Sequence, residues 1–548
     1  MAAKLKSPPA TELVLALNTP GMTAMHRAGL GGLACTLAAL EKEISGRAAS
    51  PSAQPLGEKF IPGHPWPDGQ PPWRVEPQRV TLRFGAKPAE FLKRLFAYAF
   101  QTTGEGLIWM PGQYGGKRPP NEVLAALQEG ILFSFLQHGK SRTLAKDPAT
   151  MSYDVGAEVP LTVRFKPCTC YQHQSAWEKL LQGKGPHLAK TVEIAGPLHP
   201  GSVVRHVAFT SSTRIDEEPA TAMPLVFAPV GCLTLVAGRR VGVLLIPELA
   251  DLVSFVRSRS SISPHTAREC RIAGASDAVL QAECRLRAAE HLAAGDLPAC
   301  HAVTFGTLPW STQQKSRTSA NLVRITDAAT LDRYETALSC LPPRVAVSDR
   351  PLEKGKPPVR QAFWTDSIVR PLVADNLAAG RQWYQGFTRL MTAVDTGRKP
   401  VKPIRDLLKY ERNSLHSMIQ NMPTDQAGEA RIIEAVHSAL RSRYGQIASE
   451  NEGNPVAMKK RFEGEYERLR LAFAGAKTAD VFRHALCDLF ARARGSAVLR
   501  DSWPDLLPML AEQSWQLARD LSLLALASYR GRGEEAIATP ETDESSET

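Results

Sequence analysis

Lys402, Arg405, Lys409, Arg412 and His416 recur at spacings of 3, 4, 3 and 4. At roughly 100° per residue, a helix gathers these five within an arc of about 80° and turns Ile404, Leu407, Leu408, Leu415 and Met418 to the other side. Cations ordered on the outside of a core-packed helix make a continuous electrostatic track suited to phosphates. The plain alternative is a solvated helix face. Against it stands the shortage of acid on the same segment, where Asp406 and Glu411 are the carboxylates.

Two other segments carry groups that can pair with base edges. Gln113, Tyr114, Gly115, Gly116, Lys117 and Arg118 combine backbone freedom with donors and one aromatic, and Gln313, Gln314, Lys315, Arg317 and Asn321 follow Trp310. Gln and Asn pair two edges of adenine, while Lys and Arg take guanine or phosphate. Both segments read as surface loops, with simple mobility as the alternative to base reading. Near the start, Asn18 to Leu40 is rich in Gly and Ala, which permits close backbone approach. Tight packing is the better explanation there, with His26 and Arg27 facing outward near the helix start.

Motifs for covalent chemistry are weak. His138-Gly139-Lys140-Ser141 ends like a phosphate-binding loop, but position 134 is Ser and the preceding pattern is helical, so nucleotide binding is rejected. Cys168, Cys170 and His173 offer three metal ligands without a second cluster to complete the set, which favours a strand-end turn with free thiols. The alternative is a zinc-dependent hydrolase. No paired carboxylate or histidine motif supports metal-dependent nuclease chemistry, and neither an enzyme nor a cofactor is expected.

The formal charge is +11, and since the last fifteen residues hold six carboxylates and no base, the rest of the chain carries +17. Such a body favours a polyanionic partner, nucleic acid before membrane. Nine cysteines without a paired framework fit a reduced, cytoplasmic protein. No export signal or bilayer-spanning run is expected.

The elements that must position these residues change character along the chain. Strand patterns at Leu13 to Leu17, Arg79 to Phe84, Leu161 to Phe165, Val203 to Phe209, Cys232 to Val236 and Val241 to Ile246 alternate with helical ones at Thr23 to Ile44, Pro88 to Phe100, Asn121 to Gln137, Glu248 to Arg257 and Ser276 to Ala293. A Pro-rich stretch from Leu341 to Pro358 marks the preferred boundary. After about Phe363 the pattern is continuously helical. The expected class is α+β: a mixed α/β N-terminal domain over 1–358, an all-α helical bundle over 359–532, and a disordered acidic tail over 533–548.

Three stretches carry a resemblance. They are Pro20 to Thr23 with His26 to Leu33; Arg370 to Leu377 with Trp383 to Phe387; and Trp515 to Leu521 with Leu524 to Tyr529. In these the chain resembles the large subunit of type I CRISPR surveillance complexes (Cascade), in its Myxan-type branch. The resemblance spans nearly the whole chain and rests on the order of motifs that are singly only moderately specific.

That resemblance implies an N-terminal domain that inspects the motif flanking a DNA target and a bundle similar to the small subunits. It implies crRNA, target duplex, displaced strand and the other Cascade subunits (backbone, handle-binding and small) as partners. It also implies no catalytic centre, the downstream work falling to a recruited helicase-nuclease or to transposition proteins. In such systems base pairing reads the target while protein reads the flank. No family motif assigns the contacts, so they are assigned physically. Lys402, Arg405, Lys409 and Arg412 hold single-strand phosphates, with Arg398 and Lys399 extending the track. Gln113, Lys117, Arg118, Gln313, Gln314, Lys315 and Arg317 meet duplex or guide handle, and Arg27 meets guide or a neighbouring subunit. Initiation at Met391 would release most of the bundle as a separate small subunit. The alternative from another class is a basic interaction scaffold without specific DNA reading.

Overall fold

The computed structural model describes residues 11–48, 71–85, 87–134, 142–195, 214–238, 241–290, 299–308, 311–325, 327–351, 358–395, 402–422, 427–494 and 503–531. The strand expected over Val203 to Phe209, the segment His138 to Ser141, Arg398, Lys399 and the acidic tail lie outside these residues. The chain divides into two compact units, Met1–Ala328 with Asp349–Phe363, and Ala329–Ser348 with Trp364–Thr548.

The first unit mixes strands with helices α1 (Ala24–Ala48), α2 (Pro88–Ala99), α3 (Asn121–Ser134), α4 (Pro219–Gly231), α5 (Leu252–Ile262) and α6 (Ala275–Glu290). Helix α1 is buried along most of its length, and Gly29 and Gly32 are where α4 crosses it. A Cβ on Gly29 would lie 1.9 Å from the Pro224 carbonyl oxygen, and one on Gly231 would lie 1.7 Å from that of Ala28. The close approach read from the sequence is therefore a helix–helix contact that admits no side chain on either partner.

A five-stranded sheet runs in the order Arg271–Ile272, Leu233–Ala237, Val241–Pro247, Cys300–Leu308, Ser311–Val323. All five residues of Leu233–Ala237 are buried, and α3 packs over this strand and its neighbour. The segment after Trp310, expected as a loop, is instead the last strand of this sheet. It pairs with Cys300–Leu308 through two register shifts, and its paired positions from Ser311 to Ser316 lie past the Gly242–Phe305 pair at which the adjoining strand stops.

The second unit holds nearly all of α7 (Ala328–Cys340), then α8 (Arg370–Ala378), α9 (Phe387–Thr392), α10 (Arg405–Leu408), α11 (Arg412–Asn421), α12 (Ala427–Glu450), α13 (Pro455–Ala474), α14 (Ala479–Arg492), α15 (Trp503–Met509) and α16 (Trp515–Ser528). Besides helices this unit holds the first part of strand Arg344–Pro351, the last two residues of strand Pro358–Thr365, and a two-residue ladder between Val394–Asp395 and Lys402–Pro403. A single cut at residue 358 does not describe this division, because α7 precedes the Pro-rich stretch yet belongs with the later unit. Arg370, 1% exposed, donates Nη1 to the Leu341 carbonyl at 3.0 Å and ties the end of α7 to α8.

Helix α16 is the core of the bundle, buried continuously from Asp520 to Ser528 and in contact with α9, α11, α12, α13, α14 and α15. Its one carboxylate, Asp520, is 3% exposed and accepts from the amides of Gly386 and Thr388 at 2.6 and 3.0 Å, and from Thr388 Oγ1. Those are first-turn groups of α9, left without intrahelical partners and satisfied here from a distant helix. The Trp383 to Phe387 motif serves the same end. Tyr384 donates its hydroxyl to Glu429 at 2.8 Å, and Asn376 Nδ2 spans the carbonyls of Trp383 and Gln385.

Candidate nucleic-acid interface

The basic stripe of the second unit is not one helix. Lys402 sits in the short ladder, paired with Asp395; α10 spans Arg405–Leu408; Lys409–Glu411 is a 3₁₀ turn; and α11 starts at Arg412. The interruption is caused by Glu411, whose backbone (φ −108°, ψ 3°) leaves the α region. Its side chain is fully buried and accepts from the amides of Ile368 and Val369, at 2.9 and 3.3 Å, and from Ser367 Oγ at 3.0 Å. Arg344 completes the set, with Nη2 3.2 Å from Glu411 Oε1 and Nη1 donating to the Tyr410 carbonyl at 2.7 Å. Burial raises the Glu411 carboxyl above the usual range, although all four partners favour its ionised form. Turning Glu411 inward turns Lys409 and Tyr410 outward, and both are exposed.

The cations of the stripe then differ. Lys409 is exposed, with Nζ 4.9 Å from the centroid of the Tyr410 ring. Arg405 is half-buried and lies 3.6 Å from Glu467 on α13 and 3.7 Å from Asp406, so the acid scarce in the local sequence comes from another helix. Arg412 is half-buried and acts on the phenols of Tyr444 and Tyr466, both pushed upward by burial. His416 is half-buried, its ring stacked on His437 with centroids 6.1 Å apart and an interplanar angle of 24°. Burial lowers the pKa of both rings, that of His437 to about 4. Around them Tyr444 meets Phe462 and Tyr529, with centroids 5.1 and 5.5 Å apart. The result is a face on which cations stand beside half-buried aromatic rings.

The run Lys459, Lys460 and Arg461 was a missed signal. All three are exposed on the first turns of α13. Lys459 lies three and seven positions before Phe462 and Tyr466, and so shares their side of the helix.

In the first unit the turn Pro111–Gln113 is not a mobile loop. Gln113 is 4% exposed and donates Nε2 to the Pro229 carbonyl at 2.8 Å, which removes it from any external ligand. Tyr114 is buried too, its hydroxyl donating to the Pro264 carbonyl at 2.7 Å. Beside it Arg259, 2% exposed, donates to the carbonyls of Val230 and Cys232 at the end of α4 and to Ser263 Oγ. What remains outside is the tip. Gly115 and Gly116 adopt φ of +58° and +90°, and Lys117 and Arg118 are exposed, Arg118 donating to Asn121 at 2.6 Å and lying 3.3 Å from Glu105. Lys42 of α1 reaches the same tip, its Nζ 3.8 Å from where a Cβ on Gly115 would stand.

His26 and Arg27 do not project outward. His26 is 3% exposed, with Nδ1 2.8 Å from Thr23 Oγ1 and Nε2 3.6 Å from Glu217; Arg27 is half-buried and donates to the Met22 carbonyl at 3.2 Å. Gln313, Gln314, Lys315 and, after Ser316, Arg317 lie on strand Ser311–Val323 toward the turn end of its hairpin. The Cys168, Cys170 and His173 cluster is divided by burial. Cys170 is exposed, while His173 packs against Phe100 and Tyr171 with its pKa lowered to about 3. Among the described residues no three His, Cys, Asp or Glu side chains come together as a metal site, and no helix is long and apolar enough to cross a membrane.

An α+β unit with a cationic glycine tip, followed by a bundle with exposed cations beside partly buried aromatic rings, defines a class of basic α+β protein. Residues 14–226 match the DevT N-terminal domain and residues 420–548 the DevT C-terminal domain. The chain is 35% identical over 546 residues to the CRISPR-associated protein Cas8a1/Csx13 of Myxococcus xanthus (strain DK1622), covering 97% of this chain and 91% of that protein. It belongs to that family, the Cas8-type large subunits of CRISPR effector complexes in antiviral defense, which are generally non-catalytic.

Proposed function

We propose that the chain is the non-catalytic large subunit of a crRNA-guided DNA-binding complex, acting in the prokaryotic cytoplasm with the other Cascade subunits. Its second unit holds displaced single strand on the surface built from Lys409, Arg412 and the α13 cations. Its first unit meets the flanking motif or guide handle with the Gly115 to Arg118 tip and with the free end of the hairpin carrying Gln313, Gln314, Lys315 and Arg317. A two-stranded ribbon is of a size that the DNA major groove admits. A recruited helicase-nuclease or transposition machinery then acts on the bound strand. The observation that carries this reading is the turn at Lys409–Glu411, where a buried carboxylate fixes an exposed cation and an exposed aromatic outward.

The test is co-purification with the other subunits, followed by binding to duplexes that share a protospacer and differ in flank. Binding that depends on the flank, with Lys409→Ala/Arg412→Ala/Lys459→Ala weakening all flanks alike, supports the reading. Indifference to both flank and cations leaves the interaction scaffold in its place.

A further inference from the structure

Tyr410 is 47% exposed, and among the described residues it is the aromatic member of the set of large apolar side chains left in solvent. Neighbouring apolar residues of the same segment went inward, Leu408 and Leu415 being 1% and 0% exposed, so burial was open to this stretch and the tyrosine was kept out. Its position is rigidly determined from behind. Arg344 holds its carbonyl and the next residue, Glu411, is locked against the start of α8. The ring is therefore presented on a fixed turn.

Cations stand beside the ring: Lys409 lies over it and Arg412 follows it along the chain, while Arg405, which precedes it, is paired with Glu467 and Asp406. A flat π-face set among phosphate-binding groups matches one ligand chemistry well, the repeating base and phosphate of an unpaired strand. An acidic peptide would use the cations but leave the ring idle, and a duplex offers its bases already stacked.

We propose that Tyr410 is a stacking platform for an unpaired nucleobase, with Lys409 and Arg412 taking the adjoining phosphates. This rests on the reading of that surface as a single-strand track, and it names the residue that contacts the base rather than the backbone.

The full chain is titrated with a fluorescent oligothymidylate and with an oligonucleotide of equal length whose bases are replaced by abasic sites, over a series of salt concentrations. Tyr410→Ala is expected to weaken oligothymidylate binding about 5- to 100-fold, to leave the salt slope unchanged, and to bind the abasic strand as the wild type does. Tyr410→Phe is expected to behave as wild type. Equal affinity of wild type and Tyr410→Ala for oligothymidylate overturns the stacking role, as does an equal loss on the abasic strand. Both leave the track reading standing if Lys409→Ala lowers the salt slope. Absence of salt-dependent binding by the wild type overturns the track and the stacking role together.

Discussion

Arg344 and Glu411, 67 residues apart, meet at 3.2 Å behind the exposed Lys409–Tyr410 pair, the carboxylate fully buried and the guanidinium about one-third exposed. Glu411 also takes two amides and a hydroxyl, so it acts as a remote cap for the start of α8. Replacing it with Leu strands these donors in the interior. Glu411→Leu is expected to cost about 3–5 kcal/mol, read from the urea unfolding midpoint, and to weaken single-strand binding because the turn loses its anchor. An unchanged midpoint would contradict the assignment.

The cations of the stripe are expected to contribute unequally to binding. Lys409→Ala should reduce the log–log salt slope for a single strand by about 0.7. Arg405→Ala should reduce it less, since Glu467 and Asp406 already neutralise that guanidinium. Equal slopes for the two variants would mean that the pairing with Glu467 does not persist in solution.

Glycine substitutions separate contact from conformation. Gly32→Ala places a Cβ 2.4 Å from the Phe227 carbonyl oxygen and is expected to destabilise by at least about 1–3 kcal/mol. Gly464→Ala, in α13 with nothing within 4 Å, is expected to stabilise by about 1 kcal/mol. Thermal unfolding of the two variants checks both signs.

Asp520→Ala removes the acceptor for α9 and is expected to cost about 3 kcal/mol or more, Asp520→Asn less. The same contact bears on a product initiated at Met391. Such a chain lacks Tyr384, Gly386 and Thr388, and leaves Glu429 and Asp520 without these partners. A chain of residues 391–548 is expected to lack cooperative unfolding by circular dichroism when prepared alone.

His173 provides a pH test. Its folded pKa, lowered to about 3 by burial, lies below its unfolded value of 6.5, so between those values the unfolded chain binds the proton that the folded chain refuses. Stability contributed by the neutral ring is complete above 6.5 and falls with acidification by up to about 1.4 kcal/mol per pH unit. His173→Phe keeps the packing against Phe100 and Tyr171 and should flatten that limb of the thermal midpoint against pH. An unaltered acid limb would show that another group governs it.

Local pattern accounts for much of this molecule. The strands at Glu12–Ala16, Arg79–Arg83 and Val241–Pro247, the helices α1 to α3, the close-packing glycines of α1 and the helical second unit were all legible, because periodicity and small residues act on neighbours along the chain. The tip glycines were legible as well, since their backbone freedom is a property of the residue type.

Partner choice was decided only in three dimensions. Gln113 looked like a base reader until the Pro229 carbonyl, 116 residues away, claimed its amide. Arg405 looked unpaired until α13 brought Glu467 beside it, and the stripe looked like one helix until the start of α8 drew Glu411 inward. The amino-acid sequence by itself determined most of the helices, several of the strands and that cations exceed acids, but not the strand Ser311–Val323 or the break in the basic stripe. Which cation stays free, and which aromatic remains outside, depends on groups supplied by remote segments, because a buried polar atom must find its partner wherever the fold delivers one.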